Sequence, residues 1–384
     1  MAYINVISFL KTMLLSALFA HGLLAQEARI YNNFKPGELW LDNNGVHINA
    51  HGGGILFENG IYYWFGEHKV AGRQGNKALV GVHCYSSADL YNWKDEGIAL
   101  SVDTTNENSE ITRGCVIERP KVVFNEKTQK YVMWFHLELK GQGYSAARCG
   151  VAVSDNVTGP YKYLRSYRPN PKKWPVNATE KDTTIPESGD TALLKLSGNE
   201  RAAAGYYLRR DYPVGQMSRD MTVFVDDDGK AYLIYASEEN YTMHIAELSS
   251  DYTSFTGRWY RLFPGGHREA PAIFKRSGRY YLITSGCTGW APNAARYAVA
   301  TSLFGPWEDK GNPCVGKDSE ITFNSQSTFV LPVQNKKDAF VFMADRWKPE
   351  NPIDGRYIWL PVKFIDNGIR IQWFDEWNLD FFNK

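Results

Sequence analysis

The sequence predicts an all-β chain closed into a five-bladed β-propeller, and three observations predict it. A unit made of a polar residue, an apolar strand, a turn and an aromatic strand recurs five times. A further short apolar strand follows each copy. Two distant copies also end alike, in Ser154-Asp-Asn-Val-Thr-Gly-Pro-Tyr161 and Ser302-Leu-Phe-Gly-Pro-Trp307. Three strands and an outer fourth make one blade. A chain of 384 residues can close a ring of such blades as one domain.

Taken in order, the first residues read as a targeting segment. Lys11 precedes an almost wholly apolar run over 13–24, which ends in Leu23-Leu24-Ala25-Gln26. That is the pattern of a signal peptide cleaved near Ala25. The run is short for a bilayer span, and no later run is longer. Residues 1–25 are therefore expected to be a signal peptide. Residues 26–384 are expected to be an exported propeller, periplasmic or secreted, without a membrane span.

After a lead-in over 27–49, the first unit is His51-Gly-Gly-Gly-Ile-Leu-Phe, a turn at Glu58-Asn59-Gly60 and strands over 61–65 and 80–86. The glycine run lacks the Lys-Ser/Thr and the helix of a phosphate loop, so close approach of backbone to a ligand or to the central axis is expected. The second unit starts at Glu118-Arg-Pro-Lys-Val-Val-Phe, with strands over 131–135 and 150–154. Residues 165–217 are rich in Pro, Lys, Arg, Thr and Gly, and read as a long loop insertion with one hint of helix at 201–205. The third unit, Ser218-Arg-Asp-Met-Thr-Val-Phe-Val-Asp-Asp-Asp-Gly-Lys-Ala-Tyr-Leu, is a hairpin turned by Asp and Gly, with a third strand over 243–248. The fourth begins at Glu269-Ala-Pro-Ala-Ile-Phe and the fifth at Gln326-Ser-Thr-Phe-Val-Leu. Residues 377–382 are expected to help close the ring against the N-terminal segment.

Composition narrows the partners. The net charge is +1 and no long run has one sign, which argues against nucleic acid and anionic membrane surfaces. Aromatic residues make up 14% of the chain, enough to pack blades and to leave rings for the apolar faces of sugars. The five cysteines match no zinc pattern. One disulfide, Cys115 with Cys149 inside one blade, is the pairing expected of an exported chain.

The first strand of each propeller blade lines the central channel. The polar residues that open these strands, His51, Glu118, Asp220, Glu269 and Gln326, should therefore converge at one mouth. Each has a plainer reading: a Glu118–Arg119 ion pair, a turn cap at Asp220, a turn carboxylate at Glu269, a hydrogen-bonded amide at Gln326, a buried imidazole at His51. Together they say more, because the repeat places them equivalently. Three carboxyls in a confined space should raise at least one pKa. A protonated carboxyl opposite a second polar group is what glycoside cleavage needs.

The third unit, with His267-Arg-Glu-Ala-Pro-Ala-Ile-Phe, resembles glycoside hydrolase family 43, whose fold is a five-bladed β-propeller. Ala50-His-Gly-Gly-Gly-Ile-Leu, Tyr63-Trp-Phe-Gly-Glu-His68, Glu118-Arg-Pro-Lys121 and Ser325-Gln-Ser-Thr328 resemble its exo-β-1,3-galactanase branch, subfamily 24. The resemblance implies an inverting mechanism with Glu269 as general acid and Asp220 tuning the acid and holding the sugar. It implies that Glu118 orients substrate and modulates the acid. Most of the family opens its first blade with an Asp base; this chain has Ala50-His51-Gly52 there. The branch shares that loss, and its water-holding Gln, as the imidic tautomer, corresponds to Gln326. His51, Asn240, Tyr241, Thr288 and Trp290 are candidate sugar contacts.

The expectation is a monomeric, exo-acting hydrolase, with no cofactor and no metal, that releases galactose from β-1,3-galactan or arabinogalactan. The alternatives are an α-L-arabinofuranosidase or other galactosidase of the same fold, and a sugar-binding propeller that has lost catalysis.

Overall fold

The computed structural model describes residues 30–186, 189–366 and 368–383; the expected signal peptide lies outside them. Each repeated unit folds as an antiparallel sheet whose strands follow in chain order from the axis outward. Blade 1 holds His51–Glu58, Ile61–His68, Gly81–Ser87 and Lys94–Ser101. Blade 2 holds Val116–Asn125, Lys130–Glu138, Arg148–Ser154 and Lys162–Tyr167. Met221–Val225, Ala231–Ser237, Thr242–Leu248 and Phe255–Leu262 form blade 3. Glu269–Arg276, Arg279–Ser285, Arg296–Ala300 and Glu308–Gly311 form blade 4. Blade 5 is Gln326–Pro332, Phe340–Arg346, Arg356–Ile365 and Gly368–Gln372, with Cys314–Val315 added in parallel at its rim. Each innermost strand packs against those of the two neighbouring blades, and the ring is closed.

The second strands are the most buried; Ala231–Ser237 is buried throughout. Apolar side chains fill the seams between blades. Trp64, Trp93 and Trp359 are sealed in the blade 5–blade 1 seam, and Trp134 and Trp259 in the blade 2–blade 3 seam. The first of these seams also takes both terminal segments. Phe34 and Trp377 exchange backbone hydrogen bonds of 2.7 and 3.1 Å, and their rings stack 4.6 Å apart. The two echoing Gly-Pro pairs, 159–160 and 305–306, share a cis peptide bond. Among the described residues no helix is long and apolar enough to cross a membrane.

Two expectations are corrected. The stretch after Tyr167 is not an unstructured loop. It carries three short helices, Glu180–Thr183, Gly198–Ala203 and Tyr206–Asp211, and a 3-10 turn, Asp190–Lys195. Capping boxes at Thr179/Asp182 and Ser197/Glu200 start two of them, satisfying amides that so short a helix cannot satisfy itself. Arg261 of blade 3 fastens the insertion, giving hydrogen bonds to Asp182 Oδ1 (2.8 Å), Ala202 O (2.6 Å) and Glu238 (2.6 Å). Nor do Cys115 and Cys149 pair: all five cysteines are free thiols. Cys115 packs in the seam toward blade 1 and Cys149 in the seam toward blade 3, on opposite faces of their sheet. Cys115 precedes the first strand of blade 2, bridged to Ala78, whereas Cys149 lies on the third.

Candidate active site

The innermost strands of four blades are bulged where they begin. The register shifts between His51 and Gly54, Glu118 and Lys121, Glu269 and Ala272, and Ser327 and Phe329. In the first three the residue after the polar one has positive φ: Gly52 at 61°, Arg119 at 56° and Ala270 at 54°. A bulge re-aims the preceding side chain, and Arg and Ala adopt this left-handed backbone only at a cost. The antiparallel pairing also sets Glu67 across from His51, His136 from Glu118, Ser285 from Glu269 and Asp345 from Gln326. The exits of the second strands therefore reach the same mouth as the starts of the first.

That mouth holds a pocket of about 230 Å³. Glu118, Asp220, Asn240, Glu269, Trp290 and Gln326 line it, as expected from sequence. So do Glu67, Asn76, Arg119, His136, Tyr144 and Trp347, which sequence reasoning did not select as site residues. Three expected residues stand apart. His51 is fully buried, its ring stacked on Tyr357 at 5.3 Å and neither ring nitrogen hydrogen-bonded, so it lies in the core as the plainer reading had it, but not as a satisfied imidazole. Tyr241 stacks between His267 and Tyr207 outside the pocket. Thr288 closes its own turn, its hydroxyl 2.6 Å from Ala291 O and 2.7 Å from Asn293 Nδ2.

Glu269 opens the innermost strand of blade 4 and is held by two side-chain amides. Gln326 Nε2 donates to its Oε1 at 2.9 Å and Asn240 Nδ2 to its Oε2 at 3.1 Å. Burial first, and then the Asp220 carboxylate, push its carboxyl up to about 7, against the opposing pull of Arg119. Arg119 does not pair with its neighbour Glu118 in an ion pair. It reaches across the mouth to Asp220 Oδ2 (2.9 Å), Gln326 Oε1 (2.5 Å) and Ser327 O (2.8 Å), with its guanidinium over the Trp347 ring. Trp347 Nε1 also donates to Gln326 Oε1, at 3.1 Å. Two groups that can only donate thus meet the oxygen of Gln326, while its nitrogen donates to Glu269 and to Ser285 Oγ, each at 2.9 Å. An imidic tautomer carries a proton on that oxygen and would face two donors. This setting suits the amide form of Gln326.

Glu118 is the second carboxyl of the pocket. Its Oε1 accepts from Tyr144 OH (2.7 Å) and Asn76 Nδ2 (3.0 Å), and its Oε2 faces His136 Nδ1 at 3.0 Å. Burial opposes its charge, but the hydrogen bond and charge of His136, with Lys69 and Asn76, outweigh it and hold the carboxyl well below the usual carboxylate range. Glu118, His136 and Asp220 bring potential metal-ligand atoms within 4.8 Å of one another. Both nitrogens of His136 already face carboxylates and Asp220 is paired with Arg119, so these groups satisfy each other without an ion.

The missing first-strand carboxylate also has a local cause. Glu67 fills the space: a Cβ at Gly52 would overlap its Oε1, which accepts the Arg119 amide hydrogen at 2.9 Å. Its other oxygen is ion-paired with Lys69.

A model of the glycosyl hydrolases of family 43 matches residues 199–370. At 54% sequence identity and a TM-score of 0.86, the chain is similar to a solved family 43 β-1,3-galactosidase in complex with galactodeoxynojirimycin, covering 90% of this chain and 100% of that one. The chain belongs to glycoside hydrolase family 43. This family 43 glycoside hydrolase is also similar to the exo-β-1,3-galactanase of Phanerochaete chrysosporium solved with β-1,3-galactotriose (34% identity, TM-score 0.72, 91% of this chain and 68% of that one). It is similar too to an exo-β-1,3-galactanase from Clostridium thermocellum (37% identity, TM-score 0.71, 90% and 66%). No curated protein sequence matches the chain. Family membership together with the paired carboxyls leaves no place for a propeller that only binds sugar.

Proposed function

We propose that this enzyme is an exo-acting, inverting β-1,3-galactosidase that removes galactose from the ends of β-1,3-galactan chains such as the backbone of arabinogalactan. The chemistry rests on the unlike settings of two carboxyls in one pocket: Glu269 sits between two amide donors beside Asp220, which with burial pushes it upward, whereas Glu118 accepts from Tyr144 and Asn76 and faces His136, which holds it low. Environments that push two titratable groups apart divide the acid role from the base role. Glu269, protonated, gives its proton to the departing glycosidic oxygen. Water adds to the anomeric carbon from the opposite face, with inversion, and loses its proton to ionised Glu118 as the new bond forms. Gln326, as an amide, orients the acid and the water and takes no proton. Asp220 raises the pKa of Glu269, and Trp290 with Trp347, centroids 5.9 Å apart, offers rings to the sugar.

The substrate is supported by the β-1,3-galactosidase whose whole length this chain spans. The same reading places the enzyme outside the cytoplasm, with residues 1–25 removed, which N-terminal sequencing of the mature protein checks. The function is tested by product analysis on β-1,3-galactobiose and galactotriose. Galactose of inverted configuration, released one unit at a time and lost in Glu269→Gln, is the expected result. Arabinose freed from an arabinofuranoside, with no galactose from either oligosaccharide, would overturn the substrate.

A further inference from the structure

His136 is sealed in the protein, 1% exposed, and each of its ring nitrogens faces a carboxylate: Nδ1 to Glu118 Oε2 at 3.0 Å, Nε2 to Glu138 Oε1 at 2.9 Å. A neutral imidazole has one N–H and one lone pair. Between two carboxylates its lone pair would press against an acceptor unless one carboxyl kept a proton. The other neighbours of both carboxyls donate to them. Glu138, wholly buried, accepts the Ala147 amide hydrogen on Oε2 at 2.9 Å, and Glu118 accepts Tyr144 and Asn76 on Oε1. The surroundings of Glu118 agree: Lys69 and Arg119 contribute positive charge, and Asp220 and Glu67 the negative charges set against them. An imidazolium between two carboxylates satisfies every atom.

We propose that His136 is a positioning residue that, as an imidazolium clamped between Glu118 and Glu138, keeps Glu118 ionised and aims it into the pocket. Glu138 plays the outer part: it orients the ring from a place that touches no substrate. A buried charge cluster of this kind is costly to assemble, and such clusters gather where a function needs a fixed ionisation state. The two burial effects on His136 run against each other. Desolvation alone would lower its pKa, but the bonds and charges of Glu118 and Glu138 raise it to about 9. With both nitrogens donating, the ring has no lone pair for a metal ion, so the clamp also closes the neighbouring donor set to cations.

The role given to Glu118 rests on the proposed reaction; the charge of His136 does not, and the experiment separates them. In wild-type enzyme with isotope-labelled histidine, both His136 ring nitrogens should remain protonated in NMR spectra from about pH 5 to about pH 8, where an ordinary imidazole titrates. In His136→Gln, Glu118 loses its cation and needs higher pH to ionise. The acid limb of kcat/KM on β-1,3-galactobiose should then move up by about 1–3 pH units. Glu138→Gln should move it in the same direction by less, and serves if His136→Gln does not fold. A neutral His136 at pH 7, or an acid limb unmoved in both variants, would overturn the proposal. Inactivity of the wild type on the disaccharide would count against the substrate alone, because the NMR result stands without turnover.

Discussion

Gln326 and Glu269 face each other across 2.9 Å, and the group that Gln326 presents is its amide nitrogen. A donor, not a base, meets the acid. Gln326→Glu should therefore fail as an improvement. The new carboxylate would repel ionised Glu269 and move the alkaline limb of kcat/KM up by about one pH unit, with kcat down about 100-fold. If Gln326 were the base, the same change would keep or raise kcat.

The enzyme needs Glu269 protonated, and its carboxyl titrates at about 7. kcat/KM should accordingly fall as the pH rises through that value. Asp220→Asn removes a negative charge that disfavours ionised Glu269, so the limb should shift down by about one unit. Glu269→Gln should cost about 10²–10⁴ in kcat, the usual range for losing a positioned acid. A pH–rate series on the three proteins checks each sign.

The two tryptophans at the mouth should separate in kinetics. Trp290 is 43% exposed, and Trp290→Ala should raise KM several-fold, about 1 kcal/mol of lost ring contact, with kcat little changed. Trp347 also holds Gln326, so Trp347→Ala should lower kcat as well.

The terminal segments meet in the blade 5–blade 1 seam. Trp377, 6% exposed, and Phe34, 2% exposed, are each expected to cost about 3–5 kcal/mol on change to Ala, read from urea unfolding. Because their rings touch, the double variant should cost less than the sum.

Free thiols give a simple chemical check. Denatured enzyme should titrate five thiols without reductant, and dithiothreitol should leave Tm unchanged.

Much of this was legible in the chain, for a physical reason. Alternating strands, Asp-Gly turns and repeated aromatic strands are local signals, and a fivefold repeat multiplies them. It brought Glu118, Asp220, Glu269 and Gln326 to one mouth. His51 sits at the same repeat position and before the same kind of bulge, yet its ring lies in the core against Tyr357, and nothing in the repeat distinguishes it from Glu118 and Glu269. Arg119 beside Glu118 suggested a local pair, whereas its left-handed backbone throws it across the channel to Asp220. His136 and Trp347 did carry a signal: the end of a hairpin's second strand lies beside the start of its first, so the exits of the aromatic strands could have been read with the same repeat. The capped helices of the insertion were written in Ser197 and Glu200, but too short for any period to show.

Gly52 has an evolutionary consequence. The resemblance to family 43 implies an acid at the head of blade 1, and one codon change could place Asp at Gly52. In this chain any side chain at 52 would run into the Glu67 carboxylate, on backbone already turned to a φ of 61°. An acid at 52 therefore requires the Glu67 carboxylate to leave its seat beside the Arg119 amide and Lys69. The place that an acid would take at the head of blade 1 is thus already filled from the second strand.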